Sequence, residues 1–344
     1  MELPYGRGSV QWSVTMVTVI IPTLEAGENL EKCLAALTAQ TFTDFDTVVV
    51  DNSGRHLARA LAQEAGARLI ENPANLGFGA AINQGIDLAT GDFICTLNDD
   101  AFPDPRWLEH LVAAACRDPQ TGMCASQIRL TEAPDRLDSA GMEVYFDGTT
   151  KQRGRGAPAA AYDEAEEVLF PSACAALYRL AMLHCIGRFD ADFFLYCEDT
   201  DLGFRARRAG FDCLYVPRAI VYHHYSGSAG RASRTKAFYV ERNRLYTVVK
   251  NFPLWIWPLL PFFSLYRYGL HYWAARTGRG LASQSDPWWK LAIIVLSANY
   301  QVVRNLPQLV AKRRRIARAA ALTGWQFWRL LRRHAISARE VALQ

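Results

Sequence analysis

Phe93-Ile-Cys-Thr-Leu-Asn-Asp-Asp100 is a short apolar run that stops abruptly on an amide and two adjacent carboxylates. Apolar, β-branched runs of this length bounded by turn signals read as buried strands, so the carboxylates fall just past a strand's C-terminal end. In open α/β sheets that edge is where ligands bind. No basic residue follows before Arg106, so Asp99 and Asp100 repel each other unless a cation or ordered donors compensate. Hard oxygen ligands of this kind suit Mg2+ or Mn2+ carrying a diphosphate. A solvated turn ahead of Pro103 and Pro105 accounts for the same residues without any chemistry.

Working outward towards the N-terminus, Met16 to Ile21 reads as a buried strand closed by Pro22. Glu28 opens a helix with Leu30, Cys33, Leu34 and Leu37 at helical spacing. A second strand, Asp46 to Val50, ends on Asp51-Asn52-Ser53-Gly54, and a helix carrying Leu57, Leu61 and Ala65 leads to a strand over Ala67 to Ile70. Strands alternating with helices predict a mostly parallel sheet flanked by helices. Asn75-Leu-Gly-Phe-Gly79 then precedes a helix with Ile82 and Ile86 on its face. Backbone donors at that helix start suit an anion, and an ordinary loop that needs glycine for its backbone angles fits equally.

Towards the C-terminus, a helix over Trp107 to Cys116 is followed by a stretch, Thr131 to Glu167, in which the hydrophobic pattern fades. A structureless stretch of that length is unusual in a compact domain, so part of it is expected to be a mobile loop over a site. The core restarts at Val168 to Leu180. Cys197-Glu198-Asp199-Thr200-Asp201 then opens a helix whose acids at the start and arginines at the end match the helix dipole, with Gly210 placed to stop it. A cap needs one short acid, and this stretch has a surplus. The strand segments Cys213 to Val216 and Ala219 to Tyr222 deliver His223-His224, of which extended backbone lets at most one face the acids.

The formal net charge of +4 hides an asymmetry, because residues 301–344 hold ten Lys/Arg and one acid, Glu340. The rest of the chain is mildly acidic, and the basic end has its own surface to meet. The apolar segments Phe252 to Tyr266 and Trp288 to Val303 are interrupted or short against the roughly 20 residues that span a bilayer. With Lys312 to Arg318 they read as membrane-surface helices with interfacial tryptophans and a polybasic patch. Helix packing within a homo-oligomer is a second reading of this tail; nucleic-acid binding is disfavoured, because no nucleic-acid module surrounds the charge. The eight cysteines are scattered among apolar neighbours without a C-x-x-C pair, as in a reduced, cytosolic protein. The N-terminus has no secretion-signal pattern.

In this order the motifs resemble a known family: Val19-Ile-Ile-Pro-Thr23, Val50-Asp-Asn-Ser53, Asn75 to Gly79 with Asn83, Leu97-Asn-Asp-Asp100, Gly187-Arg-Phe-Asp190, Tyr196 to Asp201, His223 with Ser228, and Arg242-Asn243. Over about residues 16 to 255 the chain resembles the inverting nucleotide-sugar glycosyltransferases of family 2, and among them the bacterial rhamnosyltransferase-like branch. The resemblance implies a GT-A fold: a Rossmann-like, mostly parallel sheet over residues 16–250, after an N-terminal arm at 1–15 and before membrane-associated amphipathic helices at 251–344. It implies that Pro22, Thr23, Asp51 and Asn52 line the nucleoside pocket and that Asn75, Gly79 and Asn83 face the nucleotide and its phosphates. Asn98 and Asp99 join the donor side, Asp100 takes the last position of the metal motif for Mg2+ or Mn2+, and His223 or Asp99 completes that contact. Asp199 matches the general base, with Glu198, Asp201, Arg242 and Asn243 in acceptor or supporting places. Transfer of L-rhamnose from dTDP-L-rhamnose to a lipid-diphosphate-linked glycan, at the cytoplasmic face of a bacterial inner membrane, is the implied activity. A UDP-hexose donor and a non-catalytic nucleotide-sugar-binding module at the membrane are the alternatives. A nicotinamide enzyme is disfavoured, because Pro22 to Gly27 lacks G-x-G-x-x-G.

Overall fold

Alternation along one buried strand sorts the molecule into layers. In the first strand, β1 (Val17–Thr23), Val17, Val19 and Ile21 enter one apolar cluster and Ile20 enters another on the opposite face, as the two-residue period of a strand requires. The computed structural model describes residues 16–224, 234–278 and 288–343; the arm at 1–15 and Ser228 lie outside the described residues.

After β1 come α1 (Glu28–Thr38), β2 (Phe45–Asp51), α2 (Arg59–Glu64), β3 (Arg68–Glu71), α3 (Phe78–Leu88), β4 (Phe93–Leu97), β5 (Ala101–Pro103) and α4 (Trp107–Ala115). The middle of the chain forms β6 (Thr121–Leu130), β7 (Ala133–Ser139), β8 (Met142–Val144), β9 (Thr150–Gln152), β10 (Glu166–Glu167) and β11 (Ala175–Arg179). Then follow α5 (Leu180–Ile186), α6 (Glu198–Arg208), β12 (Asp212–His223), α7 (Arg234–Asn251), α8 (Leu260–Arg276), α9 (Trp288–Arg304), α10 (Leu306–Ala319), α11 (Gly324–Arg333) and α12 (Ala338–Leu343).

The main sheet has the order β10-β12-β6-β11-β4-β1-β2-β3, with β5 on β12 and β7 on β6. β1 runs parallel to β2 and β4, and β12 runs parallel to β6. Because β11 is antiparallel to both β4 and β6, the carboxyl ends of β1, β2, β4, β6 and β12 open on one edge. Every residue of β4 is buried, which explains a continuous apolar run rather than an alternating one.

Two expectations change. The stretch over Thr131 to Glu167 is not structureless: it forms β7, the β8–β9 ribbon and β10, with irregular connections over 145–149 and 153–165. Its pattern fades because these strands are short and polar, and part of their polarity is spent inside the protein, where Asp138 and Asp147 are buried. The tail is also less separate than its composition suggests. Phe252, Ile256, Phe327, Trp328 and Leu331 share one buried cluster with Ile82, Phe170 and Phe204, so no break in packing falls at residue 250.

A buried ionic web locks the helices together. Lys250 of α7 is 1% exposed, and its Nζ lies 2.6 Å from Asp190 and 2.7 Å from Asp201. Arg205 Nε donates to the other oxygen of Asp201 at 2.8 Å, and Lys312 of α10 reaches Asp190 at 2.5 Å. These cations outweigh burial and hold both carboxyls below the usual range. Removing one member of a buried pair strands the charge it compensated. Lys250→Met is therefore expected to lower the free energy of unfolding by about 3–5 kcal/mol, read from urea denaturation, and a loss within error of zero would show that the web is structurally idle.

Candidate active site

The acidic end of β4 is completed by a strand more than a hundred residues later. β5 pairs with β12 so that His223 lies opposite Ala101, and the His224 N–H donates to the Asp100 carbonyl at 2.8 Å. His223 Nε2 then sits 3.3 Å from Asp100 Oδ1, and its Nδ1 sits 2.9 Å from Asp138 Oδ2. His224 points away and approaches Glu132 at 3.5 Å, the split expected of neighbours in extended backbone. Burial works against protonating His223. Cys174 and hydrogen bonds to Asp100 and Asp138 outweigh it and hold the imidazole well above its ordinary pKa.

Asp99 accepts a 2.6 Å hydrogen bond from Thr23 Oγ1. Its carboxyl is pushed up to about 6, chiefly by burial, and further by the charge of Asp100. Among the described residues, no three His, Cys, Asp or Glu side chains converge on one cation position. Two do fit a shared cation: adjacent ligands of an octahedral ion with bonds of about 2.0–2.1 Å lie about 3 Å apart, close to the Asp100–His223 separation. Asp138 stands behind the imidazole rather than beside it, the usual place of a carboxylate that orients a metal-binding histidine.

The start of α6 supplies the second group. Phe194, Tyr196 and Cys197 all have positive φ (63°, 69° and 65°), a conformation that costs non-glycine residues of order 1–3 kcal/mol each. Asn243 holds this turn: its Nδ2 donates to the carbonyls of Phe193, Leu195 and Tyr196 at 2.9, 2.8 and 2.7 Å. Arg242 donates to the carbonyls of Asp192 and Phe193. The turn delivers Glu198 and Asp199 as the first two residues of the helix, with Cys197 rather than an acid at the cap position.

Asp199 is half-buried. One of its oxygens accepts from the Ala173 N–H at 3.3 Å and the other from the Thr200 N–H at 2.7 Å. Ala173 precedes Cys174, whose carbonyl accepts from the Asn98 N–H at 2.8 Å. The entry to β11 thus ties Asp199 to the β4 carboxylates. Glu198 is buried, and its Oε2 has no hydrogen-bond partner among the described residues. Burial, then the charge of Asp199, pushes Glu198 up to about 8; burial likewise raises Asp199, against the hydrogen bonds that favour its ionised form.

The expected donor-binding residues cluster at the same edge, but several spend their polar atoms on the protein. Pro22 is half-buried at the end of β1, and Thr23 is bound to Asp99. Asp51 is 1% exposed; its carboxylate accepts from Ser53 N–H and Oγ and from the Ala58 N–H. These bonds overcome burial and keep its pKa low. Asn52 donates to Asn75 Oδ1 and the Gly77 carbonyl and accepts from Asn72 and the Leu76 N–H. Asn83 makes a two-way bond with the backbone of Phe189.

The glycine-rich turn serves close packing. Gly77 has φ 89°, and a Cβ there would run into the Phe194 carbonyl, which accepts from the Phe78 N–H at 2.8 Å. Gly79 lies against Phe189 and Glu198. Asp201 is fully buried in the Lys250 web, so it supports α6 from beneath. Sequence reasoning missed Asp138, Ala173, Cys174 and Thr150, whose Oγ1 lies 3.0 Å from Thr200 Oγ1. No local pattern marks them, because their contacts are long-range or made by backbone. Clefts of about 520 and 450 Å³ open elsewhere, beside Arg207 and Arg129, and touch none of these groups.

Residues 18–187 match the family model described as Glycosyl transferase family 2. The chain belongs to glycosyltransferase family 2. It is 29% identical over 241 residues, 63% of this chain and 78% of the relative, to the N-acetylglucosaminyl-diphospho-decaprenol L-rhamnosyltransferase of Mycobacterium tuberculosis. It is 33% identical to the glycosyltransferase AglE of Haloferax volcanii over 109 residues, 29% of this chain and 36% of that one. In fold it is similar to a Pyrobaculum calidifontis mannosyltransferase solved with GDP-Man and Mn2+, with TM-score 0.53, 15% identity, and coverage of 90% of this chain and 86% of that one. That likeness agrees with the GT-A architecture read from the motifs. The family model ends before Glu198 and Asp199, so in this family 2 glycosyltransferase the α6 carboxylates rest on geometry.

The raised pKa of Glu198 has a consequence for stability. An acid whose folded pKa lies above its unfolded value of 4.5 costs nothing while protonated in both states, and its penalty grows as pH rises towards the folded value. Glu198→Gln is expected to raise Tm relative to the parent by an amount that grows between pH of about 5 and about 8 and then levels. A difference independent of pH in a thermal-shift series would contradict the burial argument.

Proposed function

We propose that this family 2 glycosyltransferase is a metal-dependent, inverting enzyme that transfers L-rhamnose from dTDP-L-rhamnose to a lipid-diphosphate-linked glycan. The observation that carries the reaction is Asp199: a half-buried carboxylate held by two backbone N–H groups on the sheet edge that also bears Asp100 and His223. The donor and acceptor rest on the similarity to the L-rhamnosyltransferase named above. The Mn2+ of the mannosyltransferase complex agrees with the metal.

The acceptor hydroxyl loses its proton to Asp199 as its oxygen bonds to the anomeric carbon, while the bond from that carbon to the donor phosphate breaks on the opposite face. One displacement inverts the centre and needs no covalent nucleophile. Burial makes Asp199 a stronger base than an exposed aspartate, the direction proton abstraction near neutral pH requires. Asp100 and His223, once its Nε2 proton is displaced, would hold a divalent cation, which would supply positive charge against the leaving diphosphate.

The exposed apolar and basic tail supports the proposal of membrane association. Phe262, Leu265, Tyr266, Leu296, Tyr300 and Val303 are exposed on α8 and α9, while α10 carries Lys312 and a run of arginines. The proposed mode is peripheral, through these exposed side chains; among the described residues no helix is long and apolar enough to cross a membrane.

With dTDP-rhamnose, Mn2+ and a lipid-linked N-acetylglucosamine, the purified protein is expected to form a rhamnosylated product by mass spectrometry, and chelation should stop it until Mn2+ is restored. Transfer from a UDP-hexose instead would refute the donor. Asp199→Asn should lower turnover by about 10²–10⁴-fold with donor affinity retained; undiminished turnover would dismiss Asp199 as the base. Asp138→Ala should weaken Mn2+ binding by about 10–100-fold, read from the Mn2+ paramagnetic resonance signal, and unchanged affinity would separate Asp138 from the metal site.

A further inference from the structure

A lysine on the ribbon that packs against α6 has no paired carboxylate among the described residues. β9 is fixed to the start of α6 by the Thr150–Thr200 contact, one residue beyond Asp199. The next residue, Lys151, is half-buried, and its neighbours in electrostatic reach are the cations Arg155, Arg267 and Lys236. Glu143, opposite it in the ribbon, interacts with Arg153 and Glu340 instead. Among the described residues no hydrogen bond or ion pair joins Lys151 to a carboxylate.

The surrounding cations differ from Lys151 in having partners. Arg267 is paired with Asp147 at 2.7 Å and with Glu241 at 3.2 Å. Arg155 Nε lies 3.8 Å from Asp138, the carboxylate behind His223. Lys236 Nζ sits 5.4 Å over the ring of Tyr196, three residues before Asp199. The cluster therefore stretches from the His223 side of the site to the Asp199 side, and Lys151 is its uncompensated member. Burial and the three like charges push its pKa down to about 8. On the inward face of α8, His271 is pushed down to about 4 by burial and by Arg267 and Lys151.

We propose that Lys151, with Arg155, Lys236 and His271 around it, forms the subsite for the acceptor's diphosphate. This rests on the transfer reaction proposed above. That reaction brings two diphosphates to one site, the donor's and the acceptor's, and they need separate compensation. Asp100 and His223 offer a cation site for the first, and Lys151 offers an ammonium for the second. A desolvated cation without a counter-ion is costly, and a multivalent phosphate relieves it while accepting charge-assisted hydrogen bonds from the neighbouring donors. The opposite face of α8 exposes Phe262, Leu265, Tyr266 and Tyr272, so the anion would sit one helix width from an apolar surface suited to a lipid chain.

Calorimetric titration of the full chain with inorganic pyrophosphate, in saturating dTDP to fill the donor site, tests this. One further site is expected, weakened about tenfold or more in Lys151→Ala and restored in Lys151→Arg. Phosphatidylcholine vesicles carrying farnesyl diphosphate should retain the parent protein better than Lys151→Ala, while vesicles with matched phosphatidylglycerol charge retain both alike. Because Lys151 has no counter-ion to lose among the described residues, the alanine variant should melt no lower than the parent. Equal pyrophosphate binding, equal loss on both vesicle types, or a binding loss accompanied by a lowered Tm would each overturn the proposal. These readouts need no turnover: binding through Lys151 without glycosyl transfer would refute the proposed reaction and leave the subsite standing.

Discussion

Lys250 sets where the chemistry can sit. Its ammonium, removed from water, is shared by Asp190 from the turn before α6 and Asp201 from the first turn of α6. A helix advances 1.5 Å and turns 100° per residue, so a slip of one position would withdraw Asp201 from the lysine and Asp199 from Ala173 together. Buried ion pairs are weak sources of net stability, but mispairing one is expensive. Here that asymmetry selects the helix register, and the register aims the base.

The same logic explains the turn that feeds α6. Three of the four residues from Phe194 to Cys197, namely Phe194, Tyr196 and Cys197, have positive φ without being glycine. They persist because Asn243 satisfies three of the turn's carbonyls and Gly77 leaves room for Phe194 to approach. The glycine-rich motif thus acts on the base through the turn, while the donor amides of its helix are partly engaged by the protein. Gly77 makes room for that turn, and Asn52, at the end of β2, holds the glycine-rich stretch through Asn75 and the Gly77 carbonyl.

The sheet was legible because β1, β2 and β4 are continuous apolar runs, each ending on polar residues, and burial on both faces imposes that pattern. The residue-level reading said only that one of His223 and His224 could face the acids; the resemblance offered His223 or Asp99 as the partner of Asp100, and the β5–β12 pairing brings His223 to it. The support of His223 was not legible: Asp138 lies in a stretch whose short, polar strands resemble a loop, and nothing local says that its carboxylate will face an imidazole. Asn52, Asn75 and Asn83 carried the opposite ambiguity. An amide suits a nucleotide and a turn equally well in sequence, and only the hydrogen-bond partners separate the two. The tail's exposed aromatics were visible in composition, whereas the burial of Phe327 and Trp328 against Phe252 and Phe204 needed the long-range fold.

Charge is partitioned along one sheet edge by how each group is compensated. Asp100 and Asp138 face an imidazole and Asp201 a lysine and an arginine, whereas Glu198 meets no cation among the described residues, and burial with the charge of Asp199 pushes it up to about 8. A neutral Glu198 spares Asp199 a second adjacent negative charge, which would otherwise raise its pKa further and blunt the distinction between resting and proton-accepting states. Under the proposed reaction, the base works between a cation site that draws the donor's charge and a lysine that draws the acceptor's. The sugar-bearing ends of both substrates are then held by opposite rims, and the half-buried carboxylate is what remains between them to take the proton.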